Sequence, residues 1–363
     1  MRIAIATDAW FPQVNGVVRT LAATVAELDR RGFEVELITP DRFLTVPMPG
    51  YASIRLAVAP RMNVRRTLDA FAPDVVHVAT EGPIGWCARG WAQARGRPFT
   101  SAFHTRFPDY MAVRTGLSAD RFWPLMRRFH APSRAVLCAT PTLEEELASR
   151  GFANLRRWGR GIDHWTFRAH GDAHPDLANL PRPILLNVGR VSPEKNLEAF
   201  LGLACAGTKV VVGDGPALAD LRARFPDVVF TGPLSGEDLG AAYRSADVFV
   251  FPSLTDTYGL VLIEALASGL PVAAFPVTGP LDIIGRDGRG MDGASARPIG
   301  ALSADLGRAV EQALHLGRAD AAAYAAQFTW QRATDQFIAA LESALGGDWS
   351  AGLAARRLDP AAA

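Results

Sequence analysis

Two carboxylates stand eight positions apart in the run Ser253-Leu254-Thr255-Asp256-Thr257-Tyr258-Gly259-Leu260-Val261-Leu262-Ile263-Glu264-Ala265-Leu266-Ala267. Glu264 interrupts an otherwise apolar, helical stretch. A buried ionised carboxylate is expensive unless donors meet it, and the hydroxyls of a bound ligand are one such set. Asp256-Thr257 ahead of the apolar residues reads as a helix N-cap, and a helix N-terminus is a good place for a phosphate. The pair suits a ligand with both hydroxyls and phosphates, such as a sugar nucleotide. A structural glutamate satisfied within the protein is the plain alternative.

Other chemistry-bearing residues stand after apolar runs. Gly189-Arg190-Val191-Ser192-Pro193-Glu194-Lys195-Asn196 sets a forked cation and a point charge around a loop, a combination suited to a diphosphate. Ser192-Pro193 reads as a helix start that fixes both cations near one N-terminus. Asn15-Gly16, leading into an apolar periodic stretch, lets backbone amides approach an anion closely; a simple turn explains the dipeptide as well. His104, in Ala102-Phe103-His104-Thr105-Arg106, could stabilise charge developing at a reacting centre or serve structurally. Gly213-Asp214-Gly215 and Gly232-Pro233-Leu234 are turn signals, the latter able to offer backbone groups to a base.

These residues share one kind of location. Short β-branched runs at 2–6, 34–39, 75–78, 99–103 and 135–139 alternate with helical patterns at 17–31, 83–95 and 142–150, and the rhythm restarts after Pro181-Arg182-Pro183 with runs at 184–188, 208–212, 228–230, 247–251 and 271–275. Such alternation predicts parallel sheets covered on both faces. The expected organisation is an N-terminal domain over 1–170, a second over 181–328, a helix over 329–346 that crosses back to the first, and a loose tail at 347–363. Every candidate then lies at a strand's carboxyl end, where open α/β sheets bind ligands, beside a cleft between the domains.

At 363 residues and 49% hydrophobic content the chain is an ordinary globular protein. Its three cysteines are far apart, which supports neither a disulfide framework nor a zinc knuckle. The N-terminal apolar run is too short for a secretory signal, and the apolar stretch from Tyr258 to Val277 is broken by Glu264, Gly269, Pro271 and Pro276, so a cytoplasmic location without a membrane span is expected. Net charge is +1, yet residues 1–180 carry +6 and the remainder −5. That excess is far below a nucleic-acid binder's and fits an anionic membrane surface better.

Missing motifs narrow the chemistry. No G-x-G-x-x-G stands between the first strand and its helix, against a dinucleotide oxidoreductase. No Asp-x-Asp occurs for a metal-diphosphate clamp, no His-Glu-x-x-His for a hydrolytic metal, and no G-x-S-x-G for a serine hydrolase. No metal and no cofactor are expected beyond a nucleotide-sugar co-substrate, with cations and helix dipoles carrying the catalysis.

Together, Asp256-x7-Glu264, the Gly189 to Asn196 segment, the Phe11 to Gly16 loop and His104-Thr105-Arg106-Phe107 resemble the retaining glycosyltransferases of family 4. The resemblance spans nearly the whole chain. It implies the GT-B arrangement of two facing Rossmann-like domains and metal-independent transfer with retention, in which the leaving diphosphate helps deprotonate the acceptor. By resemblance Glu264 binds the nucleotide ribose, Arg190 and Lys195 hold the diphosphate with Gly16 close by, and His104 lies beside the anomeric carbon. Amides of Thr257, Tyr258 and Gly259 face the donor sugar and its phosphate. Asp256, one methylene shorter than the family's glutamate, takes the sugar-contacting catalytic position. The wording looks most like the branch that uses mannosyl, glucosyl or sulfoquinovosyl donors, carried on UDP or GDP, often with lipid acceptors.

Arg61-Met62-Asn63-Val64-Arg65-Arg66 and Arg121-Phe122-Trp123-Pro124-Leu125-Met126-Arg127-Arg128 mix arginines with large apolar residues, a composition of interfacial helices and equally of core-facing helices with solvated arginines. Arg106, Arg121, Trp123, Arg127 and Arg128 are the expected acceptor or membrane contacts of a protein peripheral on the inner membrane face. The leading expectation is transfer of a hexosyl group to a lipid such as diacylglycerol. Transfer to a soluble or polysaccharide acceptor, and a non-catalytic sugar-nucleotide binding protein, are the competing readings.

Overall fold

The computed structural model describes residues 1–13, 15–48 and 51–346, and the segment 347–363 read as a tail lies outside them. The chain forms two compact units, Met1–Gly159 with the helix that begins at Trp330, and Arg160–Thr329.

The first unit holds strands β1 (Arg2–Ala6), β2 (Glu34–Ile38), β3 (Thr45–Met48), β4 (Tyr51–Ala57), β5 (Val75–Val78), β6 (Phe99–Ala102), β7 (Ala135–Cys138) and β8 (Leu155–Arg157). Its helices are α1 (Gly16–Arg30), α2 (Arg61–Phe71), α3 (Pro83–Ala94), α4 (Phe107–Thr115), α5 (Trp123–His130) and α6 (Pro141–Ser149). Six strands make a parallel sheet in the order β2-β1-β5-β6-β7-β8, and β3 pairs antiparallel with β4. The buried run Val75–Val78 shows why the sheet is parallel and doubly covered, since both faces of the strand need apolar partners. Alternation along β1 sends Ile3 and Ile5 into one core with Leu21 and Leu28, and Ala4 and Ala6 into the other with Leu68, Ile84 and Phe129.

The second unit holds β9 (Ile184–Val188), β10 (Thr208–Val212), β11 (Val229–Gly232), β12 (Val248–Phe251), β13 (Val272–Ala274) and β14 (Gly300–Leu302). Its helices are α7 (Leu197–Leu201), α8 (Leu218–Arg224), α9 (Gly236–Ser245), α10 (Leu260–Ala267), α11 (Pro280–Ile284), α12 (Leu306–Ala313) and α13 (Arg318–Ala325). The sheet is parallel in the order β11-β10-β9-β12-β13-β14. The last helix, α14 (Trp330–Leu345), belongs to the first unit, where Phe337, Ala340 and Leu341 share a core with Ile3, Ile5 and Trp158.

The sequence placed residues 160–170 in the first domain, and the structure places them in the second. Ile162 makes a parallel bridge to Thr329, and Phe167 packs edge-on to Tyr243 at 5.6 Å. The chain does contain one G-x-G-x-x-G run, Gly288 to Gly293. It follows no strand and opens no helix of any length; its glycines at φ 77°, 82° and 68° serve consecutive turns between α11 and β14.

In each sheet the strand order reverses once, between β1 and β5 in the first unit and between β9 and β12 in the second. The loops leaving those strands diverge to opposite faces of the sheet and open a crevice at its carboxyl edge.

Candidate functional site

In the second unit that crevice is bounded by the loops after β9 and β12. The first carries Arg190, exposed, and Lys195, half-buried at the end of a single tight turn, Pro193–Lys195. Asn196 follows in the left-handed region at φ 52° and donates its amide to the Pro252 carbonyl at 3.1 Å. Lys195 reaches across the same gap, and its Nζ lies 2.6 Å from Asp256 Oδ1. The two loops are thus tied twice, once by a neutral hydrogen bond and once by an ion pair.

These ties revise two sequence expectations. The helix start expected at Ser192-Pro193 is one isolated turn, and α7 begins only at Leu197 because Asn196 breaks the right-handed geometry between them. Asp256 was expected to cap α10. The cap position is Gly259, at φ 83° and with no side-chain acceptor, and Asp256 is spent on Lys195 instead. Gly259 has little choice of residue: a Cβ there would lie 3.1 Å from Leu262 and 3.2 Å from Phe251. The second oxygen of Asp256 is buried and takes no hydrogen bond among the described residues.

Glu264 sits one turn into α10 and is 3% exposed. Tyr243 on α9 donates its hydroxyl to Glu264 Oε2 at 2.9 Å. Sequence reasoning missed this partner; its only signal was a large polar aromatic in the small-residue stretch Ala241-Ala242-Tyr243 leading into an apolar strand. Tyr258 is buried, which pushes its phenol above the usual range despite the nearby Arg160 guanidinium, 5.9 Å from the ring. Gly279 was also missed: at φ 88°, a Cβ would meet the Tyr258 carbonyl at 2.7 Å, so only glycine lets the loop after β13 lie on this backbone. Gly232 ends the outermost strand and its carbonyl accepts from Gly213 at 2.9 Å; Pro233 is exposed beside it and Leu234 is half-buried.

In the first unit Gly16 opens α1, whose cap is Asn15, its side chain accepting from the Val18 amide at 3.0 Å. His104 lies two residues beyond β6, largely buried, with its ring 5.4 Å from Trp158. Asp8, just past β1, was not singled out by sequence. Its carboxylate accepts from the Ile84 amide at 2.9 Å, the Gly85 amide at 3.2 Å and the Thr80 hydroxyl at 2.9 Å, which fastens the β1 loop to the start of α3 across the first unit's own switch point. Nearby, Glu81 Oε1 lies 3.1 Å from His130 Nε2, and His130 Nδ1 lies 2.7 Å from the Ser101 hydroxyl.

Of the expected surface contacts one is interior and another is half-buried and held by carboxylates. Trp123 is 4% exposed, stacked on Phe103 at 5.7 Å, so its apolar area is spent on the core. Arg106 is held by Asp109 and, in a fork, by Glu146 at 2.7 and 3.0 Å. Arg121, Arg127 and Arg128 are exposed.

The Glycosyltransferase Family 4 model matches residues 14–165 of this chain, and the model for glycosyl transferases group 1 matches residues 182–315. A GDP-mannose-dependent alpha-mannosyltransferase of Mycobacterium tuberculosis is 32% identical over 343 residues, 87% of this chain and 88% of the relative. The chain belongs to glycosyltransferase family 4. It is a retaining, nucleotide-sugar-dependent transferase with the two Rossmann-like parallel sheets of the GT-B class. An alpha-monoglucosyldiacylglycerol synthase of Streptococcus pneumoniae is 27% identical, with 76% of this chain and 71% of that protein aligned. Among solved structures, the sucrose-phosphate synthase of Thermosynechococcus elongatus superposes with a TM-score of 0.65 at 20% identity, covering 99% of this chain and all of that one, which speaks for the fold.

Proposed function

We propose that this family 4 transferase moves a hexosyl group of the glucose, glucuronate or mannose type from a UDP- or GDP-sugar to a hydroxyl of a membrane lipid such as diacylglycerol, without a metal. The observation that carries the donor half is the Lys195–Asp256 pair at the switch point of the second sheet. It sets a cation for phosphate and a carboxylate for sugar hydroxyls side by side where the strand order reverses.

In this reading Arg190 and Lys195 bind the donor diphosphate, Glu264 the ribose hydroxyls, Asp256 the sugar, and the backbone of Thr257, Tyr258 and Gly259 the transferring phosphate end. Gly232, Pro233 and Leu234 offer backbone groups to the base. Gly16 and His104, from the strand ends of the first unit, are assigned to the diphosphate and the anomeric carbon. The bond from the anomeric carbon to the diphosphate oxygen breaks, a bond to the acceptor oxygen forms on the same face, and the acceptor's proton passes to the leaving diphosphate. Cations aimed at that oxygen lower the barrier because charge grows there in the transition state.

The lipid half rests on the surface of the first unit and on the diacylglycerol relative. Leu44 is 85% exposed and Val46 and Val58 are about half exposed; on α2 Met62 is also exposed, next in sequence to the exposed Arg61 and close to the exposed Arg65 and Arg66. Thr45 pairs with Ala57 and Val46 with Leu56, so Leu44, Val46, Leu56 and Val58 share the outer face of the β3–β4 ribbon. Exposed apolar side chains and exposed arginines on the same unit suit an anionic bilayer surface, which gives a peripheral enzyme on the inner face of the membrane. No helix among the described residues is long and apolar enough to cross a membrane.

The test is incubation of purified protein with UDP-glucose, UDP-glucuronate or GDP-mannose and diacylglycerol micelles, followed by mass spectrometry. A glycosylated lipid with one donor is expected. Product formed only on a water-soluble acceptor rejects the lipid half; no product and no donor turnover with any of the three rejects the donor assignment.

A further inference from the structure

Tyr243 and Glu264 lie on different helices, α9 and α10, with strand β12 between them in sequence, and both are buried. The tyrosine ring is clamped by Phe167 at 5.6 Å and Phe249 at 5.7 Å, so its oxygen has a single direction in which to point. That direction is Glu264 Oε2, at 2.9 Å.

A glutamate's terminal torsion is broad and roughly twofold, so a buried carboxylate does not orient itself. A rigid donor on one oxygen selects one orientation of the carboxylate. We propose that Tyr243 is a positioning residue for nucleotide recognition: it presets the Glu264 carboxylate so that the donor's ribose hydroxyls meet an acceptor already in place. The inference rests on the ribose role proposed above for Glu264. Preorganisation is worth affinity because the ordering is complete before the ligand arrives.

The test compares binding of UDP and GDP with their 2′,3′-dideoxy forms by titration calorimetry. The wild-type protein should prefer the ribo form of whichever nucleotide it binds by about tenfold or more, the scale of hydrogen bonds to a charged group. Tyr243→Phe keeps the ring and removes only the hydroxyl. It should bring the preference to within about threefold and raise the donor KM, with kcat at saturating donor changed by less than about threefold. Phe167→Leu loosens half of the clamp and keeps the hydroxyl, and should lose only part of the preference, less than Tyr243→Phe loses. If Tyr243→Phe is not recovered folded, Glu264→Gln is compared with the Y243F/E264Q pair, which leaves no unpaired charge; the double variant should show the smaller preference. A Tyr243→Phe protein with the full wild-type preference, or a Phe167→Leu protein that loses as much, overturns the positioning role. A wild-type protein with no preference for the ribo form overturns the Glu264 reading itself.

Discussion

Lys195 and Asp256 meet at 2.6 Å across the point where the second sheet reverses its strand order, each about a quarter exposed. In the proposed reading the cation that binds phosphate and the carboxylate that binds sugar are ion-paired to each other. Lys195→Ala and Asp256→Asn should each lower kcat/KM by about 10²-fold, the usual scale for one electrostatic contact at a reacting centre. The double variant should lose less than the product of the two, since each single change leaves the other partner unpaired. Steady-state kinetics on the four proteins decide it; a strictly multiplicative loss means that the two residues act independently and that their ion pair is not part of donor recognition.

His104 and Glu264 should separate by kinetic signature. His104→Ala is expected to lower kcat by about 10²-fold with nucleotide affinity intact, because it is assigned to developing charge and not to the ground state. Glu264→Ala should weaken nucleotide binding itself. Calorimetry with UDP and GDP alongside turnover checks both; intact turnover in either variant removes that residue from the site.

Asp8 gives the chain a pH signature. Burial is the largest influence and pushes its carboxyl up from 3.8 to about 6, against the pull of the Ile84, Thr80 and Gly85 hydrogen bonds. Between those values the native protein holds a proton that the unfolded chain has released. The residue's contribution is therefore greatest below 3.8 and falls as pH rises through 6, by about 3 kcal/mol in all. His77, fully buried and lowered to about 3, acts with the opposite sign, since below 6.5 the unfolded chain takes up a proton that the native chain refuses. The two trends offset in the wild type. The Asp8 part appears as the stability difference between wild type and Asp8→Asn, read by urea unfolding from pH 4 to pH 7, which should shrink as pH rises; a constant difference contradicts the assignment.

Exposed arginines and the buried tryptophan should part company in membrane binding. Arg61→Glu with Arg65→Glu, and Arg121→Glu with Arg127→Glu and Arg128→Glu, should cut co-sedimentation with anionic vesicles and leave the melting temperature nearly unchanged. Leu44→Asp with Val58→Asp should do the same through lost apolar insertion. Trp123→Ala should destabilise the fold by about 3–5 kcal/mol, as a large core truncation does. Co-sedimentation that ignores lipid charge, or survives the arginine changes, sinks the membrane reading.

Much of the architecture was legible because parallel sheets buried on both faces need continuous apolar runs: Val75–Val78 and Val248–Phe251 read as strands from composition alone. The ribbon strands β3 and β4 and the edge strand β8 were not read, since they are part-exposed and carry mixed residues such as Leu155-Arg156-Arg157. The buried edge strand β14 was not read because Gly300-Ala301-Leu302 is too short and small-residued to show a strand pattern. Chain order likewise misled at residues 160–170, whose allegiance is decided by Ile162 pairing with Thr329 more than 160 positions later.

By itself the sequence determined the kind of chemistry, because residue type carries charge and hydrogen-bonding capacity whatever the surroundings. Asp256, Glu264, Arg190 and Lys195 near strand ends were the grounds for proposing a sugar-nucleotide site. Only the tertiary structure decided how those groups are committed: Asp256 to Lys195 and not to a helix cap, Glu264 to Tyr243, Arg106 to Glu146, and Trp123 to the core. A hydrogen bond or an ion pair needs its partner within about 3 Å, and such distances are set by which elements pack together and not by their separation along the chain.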